Sequence, residues 1–167
     1  HRVPVFTPAM SLRPLIEIAA ENERVHALAG RARAAATGGE VVEVPASAML
    51  RPLLLASWLE DDRGLADQPA LLVSADDRSA RDLAADLRAY LAPRRVRFYP
   101  SRGTGYASHV TPPPHLVGLR IDALDSLRAE DDAIVVASAV ALAEAVPDAS
   151  LRPAGFALAI GEEIELG

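Results

Sequence analysis

The sequence predicts an α/β domain, a parallel sheet with helices on both faces. Three observations predict it. Short, continuous apolar runs of strand length alternate with longer segments whose apolar residues recur at helical spacing. Half of the 167 residues are hydrophobic but only 4% are aromatic, so a core must be built from Leu, Val, Ile and Ala. The first strand-loop-helix unit also has the outline of a phosphate-binding loop whose glycines and lysine are missing, a degenerate P-loop.

Each element has its own signature. Residues 11–36 read as two helical pieces. Pro14 suits a first helical turn, where its missing N–H costs nothing. Asn22 is a candidate N-cap, with Val25, Leu28, Ala29 and Ala32 at helical spacing behind it. Gly38-Gly39 ends this N-terminal helical segment, residues 1–38. An α/β domain follows over residues 39–154. Its first unit pairs Val41-Val42-Glu43-Val44 as a buried strand with a helix over residues 49–60. The second pairs a strand over 70–75 with a helix over about 78–91, capped by Asp76 or Asp77. That helix buries Leu83, Ala84, Leu87, Tyr90 and Leu91. The third is a strand over 96–100, a long loop over 101–110, and a helix capped by Thr111 with Pro112 near its first turn. Leu116, Leu119, Ala123, Leu124 and Leu127 form its apolar stripe. The fourth is a strand over 133–137, with Ser138 capping a short helix that ends near Pro147. Residues 155–167 read as a final segment, with one or two strands around the turn at Gly161-Glu162.

In parallel sheets the loops after the strand carboxyl ends line the ligand crevice. Here those loops hold residues 45–51, 74–77 and 101–110, and Ser138. A phosphate cradle needs glycines, so that backbone N–H groups converge on the anion, and a lysine to reach the terminal phosphates. The first loop instead reads Pro45-Ala46-Ser47-Ala48-Met49-Leu50-Arg51, and all 17 basic residues of the chain are arginine. Ala46, Ser47, Leu50, Arg51 and Pro52 therefore occupy the phosphate-loop positions without the chemistry. No cofactor is expected. Arginine does bind phosphate, which leaves an anion at Arg51 and the helix start at Pro52 as a competing reading, that of a nucleotide- or anion-binding enzyme domain.

Other candidates point to no reaction, and no catalytic residue is assigned. With no cysteine, disulfides, thiolate metal sites and cysteine nucleophiles are excluded. His1, His26, His109 and His115 lack metal-ligand spacing, so no metal is expected. Glu60-Asp61-Asp62 and Glu130-Asp131-Asp132 read as solvated turns. Gly103-Thr104-Gly105 lacks the third glycine of a dinucleotide fingerprint and reads as a flexible loop. Arg102 and Tyr106 in that loop are candidate partner contacts. A net charge of −6 argues against a nucleic-acid footprint, and Arg94-Arg95-Val96-Arg97 reads as a solvated start to a strand. No apolar run approaches the ~20 residues that span a bilayer, no signal-peptide pattern occurs, and a cytoplasmic protein is expected. Beginning at His1 and stopping at Gly167 just after an apparent strand, the chain reads as a piece of something longer, with His1 a cloning remnant.

Two stretches carry a family resemblance. Ile134-Val135-Val136-Ala137-Ser138-Ala139-Val140-Ala141-Leu142 resembles the strand-to-helix segment of the excision-repair protein UvrB and of its relative, the bacterial transcription-repair coupling factor (Mfd). Thr111-Pro112-Pro113-Pro114-His115-Leu116-Val117-Gly118-Leu119-Arg120-Ile121-Asp122-Ala123-Leu124 resembles the segment of the coupling factor in which a Ser-Pro pair opens a helix. The resemblance covers about residues 39–166 and implies a helicase-like, UvrB-like domain. UvrB keeps a working phosphate loop, whereas the N-terminal module of the coupling factor has lost it. Arg102-Gly103-Thr104-Gly105-Tyr106 is also too short and polar for the tyrosine-rich hairpin of UvrB. Both points favour the coupling factor. The chain departs from that family's Trp-Glu-Thr-Leu-Pro-like motif in this loop, keeping only Thr104 and a tyrosine.

The resemblance implies a non-catalytic scaffold in transcription-coupled nucleotide excision DNA repair. The parent protein would release stalled RNA polymerase with an ATP-driven DNA translocase and recruit UvrA. The UvrA-contacting residues of the family lie in the inserted subdomain, of which this chain would hold only the first strand.

Overall fold

A computed structural model describes residues 11–104, 111–129 and 132–146. Its elements, in chain order, are α1 (Arg13–Ala20), α2 (Glu23–Gly38), α3 (Arg51–Glu60), β1 (Ala70–Ser74), α4 (Asp77–Leu91), β2 (Val96–Tyr99), α5 (Pro114–Ala129), β3 (Ile134–Ser138) and α6 (Ala139–Ala143). The strands form one parallel sheet of order β1-β3-β2. Ala70 and Val96 both pair with Ile134, and the two ladders run in step along β3.

The central strand explains the layering. All five residues of β3 are buried, as are all four of β2, while β1 alternates between half-buried and exposed at the sheet edge. Successive strand residues point to opposite faces. Ile134, Val136, Val96 and Phe98 join Ala84, Leu87 and Leu91 of α4, with Ile16 of α1 and Ala56 and Leu59 of α3, in one core cluster. Val135, Ala137 and Tyr99 join Ala123 of α5 and Ala141 of α6 in the other. Helices therefore cover both faces, as predicted. Alanine at the helix-sheet contacts lets α4 lie close to the strands, which is why a chain poor in aromatics still closes a core.

The helix boundaries follow local chemistry. Asn22 accepts a hydrogen bond from Arg24 N–H at 3.0 Å and caps α2. Gly39 ends that helix with φ of 70°, a left-handed conformation that suits glycine. Asp76 accepts from Ser79 N–H at 2.8 Å and caps α4. Ser138 caps α6 through Ala141 N–H at 3.1 Å.

Four expectations are corrected. Val41-Val42-Glu43-Val44 is not a strand: it has no ladder among the described residues, and Val41 is 90% exposed. A strand exists through its pairing, and β1 makes its ladder to β3. Thr111 does not cap α5, which starts at Pro114. The residue before a proline is pushed out of helical geometry, so Pro112 and Pro113 stay outside and Pro113 O accepts the first turn's N–H bonds from Leu116 and Val117. Glu60 and Asp61 do more than sit in a solvated turn. Glu60 pairs with Arg13, and Asp61 lies 2.8 Å from His26 Nδ1, so the carboxyl end of α3 is tied to α1 and α2. Finally, Arg97 is buried, Arg94 is partly buried, and both are engaged. Arg94 reaches Asp132 at 3.2 Å and Arg97 reaches Asp122 at 3.5 Å. The segments expected at 147–167, Glu130 and Asp131, and the expected subdomain start lie outside the described residues.

Leu87 is fully buried between α4 and the sheet, whereas Leu71 is half exposed on β1. Leu87→Ala is expected to cost about 2–5 kcal/mol and Leu71→Ala less than about 1 kcal/mol, measured by urea unfolding.

Candidate functional site

The segment over residues 45–52 lies at the amino end of α3, with no strand before it among the described residues, and the N–H groups of Leu50 and Arg51 are turned inward. Ser47 O accepts Leu50 N–H at 3.0 Å and Arg51 N–H at 3.2 Å. Pro52 has no N–H to offer. Arg51 Nε donates to Ala46 O at 3.2 Å, so the one cation of the loop is folded onto its own backbone. A crevice of about 670 Å³ opens beside it, between this loop, β1 and α4. Asp82 and Asp86 of α4 line that crevice with Arg51, so carboxylates outnumber the guanidinium there.

At the carboxyl ends of the strands the structure gathers Asp77, Ser101 and Ser138. Asp77 is the first residue of α4. Its carboxylate accepts Ser101 N–H at 3.1 Å and the hydroxyls of both serines. One side chain thereby joins the start of α4 to the ends of β2 and β3. Burial alone would raise the Asp77 pKa. The bonds from Ser101 and Ser138, with Arg81 nearby, outweigh it and hold the carboxyl below its ordinary value. A carboxylate so held is a weak base, and its serines donate to it rather than being activated by it.

A second cluster lies on the α5 side of the same end. Arg120, 7% exposed, donates from Nη1 to Pro100 O and to Glu144, both at 2.7 Å. Its guanidinium carbon sits 4.2 Å from the centre of the Tyr99 ring. Arg102 N–H donates to both Glu144 oxygens at 3.0 and 3.1 Å, and its guanidinium donates to Ala145 O. The Arg102 singled out from sequence is therefore a hinge of this cluster, with its side chain 35% exposed. Tyr106, Gly105 and His109 lie outside the described residues. Gly103 takes φ of 70°, so the Gly-Thr-Gly segment begins with a defined left-handed turn. A pocket of about 310 Å³, lined by Tyr99, Val117, Ile121, Leu124, Arg102 and Arg120 among others, opens next to the cluster.

Sequence reading missed Arg120 and Glu144. Arg120 stands four residues after Leu116 and three before Ala123, on the buried side of α5, where an isolated charge asks for a partner. Nothing in the linear sequence says that the partner is at the end of α6. Among the described residues no group of three or more His, Asp or Glu side chains could hold a metal ion, and no helix is long and apolar enough to cross a membrane. The chain matches no protein-family model, no curated protein and no solved structure.

Removing the shared acceptor should be felt at both strand ends. Asp77→Ala is expected to cost about 2–3 kcal/mol at neutral pH. Because folding lowers this pKa, its contribution is complete above the ordinary aspartate value of about 3.9. It is lost as pH falls through the lower folded-state value. Asp76, held down by Ser79 N–H, shares this acid limb. Asp77→Ala should therefore shrink the loss of stability below that pH without abolishing it, as followed by unfolding at stepped pH.

Proposed function

We propose that this domain is a non-catalytic scaffold, the N-terminal UvrB-like module of a bacterial transcription-repair coupling factor. The observation that carries the reading is the inward-turned loop before α3. The N–H groups of Leu50 and Arg51 are spent on Ser47, Pro52 supplies none, and Arg51 Nε is bonded to Ala46. An anion arriving there would meet Asp82 and Asp86. This weighs against the competing reading of a nucleotide- or anion-binding enzyme. The parallel α/β architecture is of the kind the family requires. The family-like stretches fall on coherent units as well: residues 134–142 on β3 and α6 joined at the Ser138 cap, and residues 111–124 on the proline-opened start of α5.

In this role the sheet presents a neighbouring subdomain that captures UvrA. The rest of the parent protein engages RNA polymerase and DNA and uses ATP for translocation. The module itself would act in transcription-coupled nucleotide excision repair, in the cytoplasm.

Titration calorimetry with ATP and magnesium tests the loop. No saturable heat is expected at concentrations that saturate a working UvrB domain, and saturable binding would overturn the reading. The family is tested separately. A coupling factor whose corresponding segment is replaced by residues 39–146 should still capture UvrA in a pull-down. A folded chimera that fails to do so counts against the assignment.

A further inference from the structure

The α5 side of the sheet carries an apolar surface that no element covers among the described residues. Val117, Ile121, Leu124 and Leu127 recur along α5 at helical spacing and face the same way. Ile121 is 41% exposed and Leu127 43%. Leu142 of α6 and Val146 beyond it, at 45% and 50%, continue this surface. The 310 Å³ pocket and a second of about 100 Å³ share Tyr99, Leu124 and Val146, so the two form one groove running along α5. Scattered apolar residues on a surface need no explanation, but a continuous concave row of them does.

The groove has a polar end of definite sign. Arg102 and Arg120 line it, against the single carboxylate of Glu144. This local positive balance stands in a chain of net charge −6. Arg120 is held in place by Pro100, Glu144 and the Tyr99 ring, so it presents its charge without first losing side-chain freedom.

We propose that this groove docks an amphipathic, acidic helical segment of a partner protein. Two or three bulky apolar side chains at successive-turn spacing would fill the groove beside Ile121, Leu124 and Leu127. A carboxylate at one end would meet Arg102 and Arg120. This is recognition of a helix in a groove, with anchors giving affinity and the charged end giving orientation. The inference goes beyond the scaffold reading and stands whether or not the parent protein is a coupling factor.

The test uses the 167-residue chain and a fluorescein-labelled synthetic helix of about four turns. One version carries leucines at i, i+4 and i+7 with flanking glutamates, and the other carries lysines in place of the glutamates. Fluorescence anisotropy should show saturable binding of the acidic peptide, at least about tenfold tighter than the basic one. Ile121→Glu and Leu127→Glu should abolish binding while leaving the circular dichroism and melting temperature unchanged, and Arg102→Gln should weaken it about tenfold. Absence of binding, equal binding of both peptides, or binding indifferent to Ile121→Glu would each overturn the proposal. So would two other findings. One is a dimer in sedimentation that Ile121→Glu dissociates, which would make a second copy the occupant. The other is protection of the α5 groove by residues 147–167 of the chain itself.

Discussion

Strand β3 is hydrogen-bonded on both edges and buried on both faces, and the remaining elements are arranged to make that possible. Its first four side chains are apolar and its fifth is Ser138. A buried hydroxyl must find partners, and Ser138 finds two, the Asp77 carboxylate and the N–H of Ala141. The same carboxylate holds Ser101 just beyond β2. The end of the central strand is thus locked to a helix on one face, a helix on the other and the neighbouring strand. Each depends on a carboxylate whose charged form is favoured because the polar groups converging on it outweigh the upward push of burial on its pKa.

Much of this fold was legible in the sequence, and the reasons are local. Asn22, Asp76 and Ser138 cap helices because short polar side chains compete for nearby N–H groups. The run at 134–138 is recognisable because a strand buried on both faces is almost continuously apolar, and those at 70–74 and 96–99 stand out as short apolar-rich runs between helical segments. What could not be read has long-range causes. Val41-Val42-Glu43-Val44 has the composition of a strand, but pairing is decided by what lies beside it. Arg94, Arg97 and Arg120 look alike as letters, yet each is withdrawn from solvent to some degree and paired with a carboxylate that sequence distance conceals. Asp122 lies one helix away from Arg97, and Glu144 lies beyond the next strand from Arg120. Thr111 was misplaced by a local rule, since three consecutive prolines delay the helix by two residues more than a single one would.

The candidate site divides in the same way. That residues 45–52 lack the glycines and lysine of a phosphate cradle was visible as missing residue types, and the geometry adds that this segment closes on its own carbonyls. The cluster of Arg102, Arg120 and Glu144 was half visible, because Arg102 stands in a loop, whereas Arg120 lies within α5 and Glu144 just after α6. An arginine-only basic set matters here. A guanidinium can lie flat on Tyr99 while bonding to a carbonyl and a carboxylate at once, which an ammonium cannot. The two clusters at the strand ends serve different purposes. Asp77 fastens the frame, and Arg120 with its neighbours shapes a surface.

The order of strands also bears on how the chain acquires its shape. β1 and β2 are made first but share no ladder, since each pairs with β3, which follows both in the chain. As the polypeptide leaves the ribosome, the first two apolar strands must wait, unpaired, until the middle one arrives. Helices form from local contacts and can accumulate in the meantime, with α4 sheltering the waiting segments, but the sheet itself closes late. For that interval the cell holds a chain with two open strand edges, the state in which folding aids matter most.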